Sequence, residues 1–224
     1  MTTAPRRLIA TLISFTVLLL HGDVRAHDRS SDLAVHLTFR GGFSAATQQA
    51  AAREAARIWR PYGVAVTLGA AEAPDDHILD VPVFVMRDAG RDVSTTALAS
   101  VRFSDGEPEP IVFVYHSRIT AIIARGWLGG TTYDEWPVTL RETVLARALG
   151  RVIAHELGHI LLRSTRHARL GLMRAMQPLL SLITPDFALR LSLDDVARLP
   201  SHERADMVAT PLRPAIALNA QAIR

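Results

Sequence analysis

The stretch HELGHILLRSTRHARLGLM, residues 155–173, brings three histidines, a glutamate and a methionine into one short run. Residues four apart on a helix share a face, with Cβ atoms about 5–6 Å apart, so His155 and His159 can aim imidazole nitrogens at one ion. Glu156 is turned away from them by about 100°. It would miss the ion and reach a water bound to it. That division suits metal-assisted hydrolysis. The ion lowers the pKa of its water towards ~7, and the carboxylate accepts a proton as the water attacks a carbonyl carbon. The chain has no cysteine, which leaves His, Asp and Glu as ligands.

A third ligand is wanted, and His167 is the first candidate. If the helix ran on, His167 would stand about 120° from His155 around the axis. Coordination by His167 therefore requires the helix to end near Leu162 or Arg163, a break that the modest helix formers Ser164 and Thr165 permit. A downstream acid (Glu203, Asp194 or Asp195) is the competing third ligand, and two protein ligands plus solvent is the remaining option. Met173, taken by itself, reads as a core residue filling an irregular gap.

The elements that must position these groups follow from periodicity and breakers. LAVHLTF (33–39) alternates as a strand, Gly41-Gly42 interrupts it, and Ser44 caps an alanine-rich helix, AATQQAAAREAARIWR (45–60). VAVTL (64–68) and ILDVPVFVM (78–86) read as strands, with Pro82 marking an edge or a bulge. ALASVRF (97–103) and IVFVY (111–115) read as a strand pair around a turn-rich loop, SDGEPEP (104–110). A short helix is expected over 117–126 and a loop over 126–136. Pro137 then opens a long helix over 137–162, whose apolar positions Val144, Leu145, Ala148, Leu149, Val152 and Ile153 form one buried face. Ser192 caps a short helix over 193–199. The predicted class is α+β, a mixed twisted sheet of about five strands with a backing helix and a long active-site helix, plus a small C-terminal helical part.

The HExxH stretch resembles the zincin metallopeptidases, and within them the metzincin branch, which carries HExxHxxGxxH and then a methionine-containing turn. His155, Glu156 and His159 match residue for residue, and LGLM (170–173) is similar to the turn, with Met173 its methionine. The stretch also looks like a group of small exported bacterial proteins in which HExxH, a His some eight residues on and a G-[IL]-M-R segment recur, here His167 and Gly171-Leu172-Met173-Arg174. The resemblance implies a zincin-like fold, one zinc ion, Glu156 as general base, peptide or protein substrates, and an edge strand at 97–103 that pairs with an extended substrate. The motif identity covers only about twenty residues. The metzincin pattern is departed from at Leu162 and Thr165, which stand where it has Gly and the third His.

Composition bounds the rest. The chain has 224 residues, 49% hydrophobic and 21% charged, the profile of one globular domain. Arg6 and Arg7, the apolar run 8–20 and Val24-Arg25-Ala26 read as a signal peptide, 1–26, so an exported protein starting at His27 is expected, with no stable membrane anchor once it is cleaved. The domain would span 27–206 and a loosely packed tail 207–224. A sequence pI of about 10.1 invites nucleic acid as a partner. However, the net charge falls from +3 to +1 once Arg6, Arg7, Arg25 and Asp23 leave, every basic residue is arginine, and none are clustered. Nucleic acid is not expected.

Lesser candidates have plain alternatives. His27 at a new N-terminus could chelate copper or be an untethered tail residue. His116 could face a cleft or simply end a strand. Tyr133 and Trp136 could line a pocket or seal the start of the long helix. The expected activity is zinc-dependent endopeptidase hydrolysis. The rival readings are a zinc-binding or partner-binding module without turnover and a metal-free adaptor.

Overall fold

The computed structural model describes residues 33–69, 78–90, 93–128 and 130–199. The expected signal peptide, His27, Glu203 and the tail 207–224 lie outside the described residues. Strand β1 (Leu33–Arg40) leads to helix α1 (Ala45–Trp59), whose N-cap Ser44 accepts a hydrogen bond from the Thr47 N–H. Strands β2 (Val64–Leu68), β3 (Ile78–Met86), β4 (Ala99–Ser104) and β5 (Glu107–Tyr115) complete one sheet in the order β2-β1-β3-β5-β4. All pairings are parallel except β4 with β5, so the sheet is mixed and β4 is an edge strand.

Alternation assigns the faces. Val35, Leu37, Val81, Val83, Val112 and Val114 are buried and share a core with α1 and with helix α3 (Val138–Leu161). The indole N–H of Trp59 donates to the Ala154 carbonyl (3.1 Å), pinning α1 to α3 one residue before His155. The opposite sheet face carries Phe84 stacked on Phe113, with Arg102 over the Phe113 ring.

Several local expectations are corrected. The 104–110 loop is a two-residue turn, because Asp105 (φ 53°) and Gly106 (φ 82°) both take the left-handed region that a tight hairpin needs. Strand β5 therefore starts at Glu107. Pro82 lies in a central strand, but the β5 pairing begins at Val83, so the proline faces a partner only on the β1 side. Helix α2 (His116–Ile123) precedes a small hairpin, β6 (Trp127–Leu128) with β7 (Thr131–Thr132), where a loop was expected. A capping box between Thr132 and Glu135 then shapes the chain before α3. Helix α4 (Leu179–Ile183) was not expected, and helix α5 (Leu193–Arg198) is capped by Ser192 as expected. No helix among the described residues is long and apolar enough to cross a membrane.

Candidate metal centre

Helix α3 carries His155 and His159 one turn apart and stops at once. Leu162 N–H donates to Gly158 O, Arg163 N–H to Ile160 O and Ser164 N–H to His159 O, the paired bonds of a Schellman ending. Arg163 takes the left-handed position, φ 48°. Beyond it the chain doubles back. Ala168 N–H donates to Met173 O (2.8 Å), and Leu172 N–H to Arg190 O (2.7 Å). Gly171, at φ 80°, permits this path; a Cβ there would run into the Arg190 carbonyl.

That path brings His155, His159 and His167 together, with one possible ligand atom from each all within 4.8 Å of one another. Ring centroids stand 4.9 Å apart for His155–His159, 5.3 Å for His155–His167 and 4.8 Å for His159–His167. His155 Nδ1 lies 2.7 Å from Leu172 O, and His159 Nδ1 lies 2.7 Å from Ser164 O. A carbonyl can only accept, so each Nδ1 carries the proton and each Nε2 presents a bare lone pair. Those two Nε2 atoms face one another at 3.2 Å. Neither can donate to the other.

Protonation does not relieve the opposition. Burial pulls His155 down from 6.5 to about 4, against the raising effect of the Leu172 carbonyl and with help from His159 and His167. Burial likewise lowers His159 and, less enclosed, His167. Three neutral imidazoles converging, two with opposed lone pairs, form a donor set that a metal cation satisfies and a proton does not.

Glu156 sits on the adjoining face of α3, only 6% exposed. Burial pushes its carboxyl up to about 8, and a hydrogen bond from the Val101 main chain on β4 opposes that rise. Between Val101 and Phe103 the β4–β5 register shifts, as a bulge on an edge strand does. Met173 is buried against the helix underside, where a Cβ on Gly158 would collide with its sulfur. The glycine of HELGH is thus the space Met173 occupies.

The remaining candidates fall elsewhere. Asp195 is taken by the Ser192 hydroxyl and Arg198, and neither it nor Asp194 joins the histidine cluster. His116 packs edge-to-face on Phe43. Trp136 is buried at the start of α3, its indole N–H on Thr131 O, with Tyr133 against its ring, so the pair seals the helix start. Sequence reasoning missed Leu172 and Ser164, whose carbonyls orient two ligands, because any residue type supplies a carbonyl. It also missed Gln177, which reaches the Gly171 and Leu172 carbonyls, and Arg151, which is buried beside Glu54. No protein-family model, curated protein or solved structure matches the chain.

Proposed function

We propose that the protein is an exported zinc-dependent metallopeptidase that hydrolyses peptide bonds. The observation that carries this reading is the opposed pair of unprotonated Nε2 atoms, with His167 as third donor and Glu156 on the next face of the same helix turn. Two nitrogens each about 2.0–2.1 Å from a tetrahedral zinc stand roughly 3.3 Å apart, close to the 3.2 Å between His155 and His159. When bound, zinc would act as a Lewis acid that polarises a carbonyl and acidifies a water. His155, His159 and His167 would hold it, and the Leu172 and Ser164 carbonyls would keep the first two rings in the ligating tautomer. Burial alone would keep Glu156 protonated at neutral pH, so a bound cation, which favours a neighbouring carboxylate, would be needed before Glu156 could accept a proton and pass it to the leaving amine. Edge strand β4 would align an extended peptide by main-chain pairing.

A zinc-binding module without turnover is favoured by one observation: Glu156 is nearly enclosed and already bonded to the Val101 main chain. The test measures zinc per chain and digestion of a peptide library for wild type, His167→Ala and Glu156→Gln. Near one zinc in wild type, a clear loss in His167→Ala, and full zinc without cleavage in Glu156→Gln are expected. Zinc retained in His167→Ala would move the third ligand elsewhere. A zinc-loaded wild type that cuts no peptide would leave the binding module, and no zinc in any protein would overturn both readings.

A further inference from the structure

Between Arg163 and Gln177 the backbone has little regular pairing: a single bridge joins Ala168 and Arg174, and Leu172 N–H reaches across to Arg190 O. The Gly171 carbonyl accepts a long bond from Arg174 N–H (3.4 Å), whereas the Leu172 carbonyl has no main-chain donor among the described residues. Gln177 decides the matter. Its Nε2 donates to Gly171 O at 2.8 Å and to Leu172 O at 2.9 Å, using both amide hydrogens. Two carbonyl acceptors fix which way the amide faces. Its Oε1 lies 3.2 Å from the hydroxyl of Ser181, a residue fully buried on α4, whose single proton is shared with the nearer Pro178 carbonyl at 2.7 Å. The Ser181 carbonyl in turn takes a hydrogen bond from Arg151 on α3.

Leu172 O thus has two donors, Gln177 Nε2 and His155 Nδ1, one for each lone pair. We propose that Gln177 is a positioning residue of the metal centre: by holding the Leu172 carbonyl it fixes the tautomer and direction of the His155 ring. The effect on metal binding rests on the zinc-centre reading; the effect on the ring does not. Without the amide, the carbonyl has only the imidazole to aim it, and the proton on His155 is free to move to Nε2, the ligating atom. Partners one step behind a ligand typically govern roughly tenfold to hundredfold in metal affinity.

The test uses the full chain and the Gln177→Met variant, which keeps side-chain length and removes both donors. Gln177→Glu, which keeps only an acceptor for Ser181, serves as the second variant if Gln177→Met does not fold. Tyr62→Phe is the control. It deletes the hydroxyl that accepts Leu191 N–H at 2.8 Å, loosening the same C-terminal stretch without touching Leu172 O. Zinc affinity is read by competition with a chromophoric chelator, and the His155 tautomer by ring ¹⁵N NMR of the metal-free protein. Zinc binding should weaken about tenfold or more in the Gln177 variants and stay at the wild-type level in Tyr62→Phe. His155 should pass from the Nδ1–H form to a mixture. An unchanged tautomer with affinity within about twofold of wild type overturns the proposal. So does an equal loss of zinc in Tyr62→Phe, which would mark general loosening. A wild type that takes no zinc, with the tautomer still shifting in Gln177→Met, would sink the zinc reading and leave the role of Gln177 standing.

Discussion

Replacing Arg151 by methionine is expected to destabilise the fold by about 3–5 kcal/mol, the cost of breaking a buried charge network from one side. The side chain of Arg151 is fully buried and uses four of its five N–H donors. Nε bonds Glu54 at 2.6 Å, Nη1 bonds Ser181 O at 2.7 Å and Thr184 O at 2.9 Å, and Nη2 bonds Pro185 O at 3.1 Å. Methionine fills much of the space and offers no donor. Each stranded carbonyl then forfeits roughly 1–3 kcal/mol to the extent that water cannot reach it. Glu54 keeps the two bonds from Arg57, which holds the total below the sum of the parts. Burial lowers the guanidinium of Arg151 from its ordinary value, whereas Glu54, which burial alone would raise, is held down by Arg57 and Arg151. The two directions mean that desolvation falls on the arginine and the benefit of pairing appears at the carboxylate. Urea unfolding of the metal-free chain should therefore show a midpoint drop at constant m-value, matched by roughly 10 °C in Tm. The double variant Glu54→Leu/Arg151→Met should recover part of the loss, since the stranded carboxylate goes too. A single variant within about 1 kcal/mol of wild type would refute the claim that this guanidinium ties α1 and the 181–185 segment to α3.

In the metal-free protein Glu156→Gln should be stabilising, and increasingly so with pH. The folded state holds the Glu156 proton up to about 8, while the unfolded chain loses its proton near the ordinary value. Wild-type stability therefore falls as pH rises between the two, by on the order of 5 kcal/mol at full effect. Melts of both proteins from about pH 5 to about pH 9 check this, and parallel curves would contradict it. Chelation should lower the Tm of the zinc-loaded wild type by several degrees, since a ligand at about 100 times its Kd adds about 2.7 kcal/mol. His155→Ala should not respond to chelator at all. Gly158→Ala should cost about 1–3 kcal/mol by driving a methyl group onto the Met173 sulfur. Adding Met173→Ala should return part of that loss in a double-mutant cycle of unfolding free energies.

The fold was legible where sequence pattern and local preference agree. The alanine-rich α1, the capped α5 and the alternating β1 carry their own periodicity, and Val144 to Ile153 marks the buried face of α3. Elements held by distant partners were less legible. Helix α4 is five residues of nearly uniform apolarity, too short for a period to emerge, and it stands because Arg147 and Arg151 bond the carbonyls of residues 181–185. The β6–β7 hairpin has only two pairs and is braced by the Trp136 indole on Thr131 O. At the site, the i, i+4 spacing of His155 and His159 announced itself. His167 is the first candidate on condition that the helix end near Leu162 or Arg163, and it does end there, with Leu162 as C-cap and Arg163 left-handed, although no glycine marks the break.

That ending explains the late histidine. Arg163 occupies the left-handed position that glycine fills more cheaply, by roughly 1–2 kcal/mol. Its exposed ion pair with Glu107 offsets little of this. What the turn supplies is a paired clasp on His159. Ser164 N–H closes onto the His159 carbonyl at 3.1 Å, and the Ser164 carbonyl accepts from His159 Nδ1 at 2.7 Å. One residue thus terminates the helix and orients the second ligand. A break at Leu162 itself would take a side chain out of the core, where Leu162 is buried. Placed one residue later, the break leaves Thr165 and Arg166 to cross the exposed edge before Ala168 N–H meets Met173 O. The third histidine of the cluster arrives next, at 167, so its late spacing accompanies a backbone turn placed at Arg163.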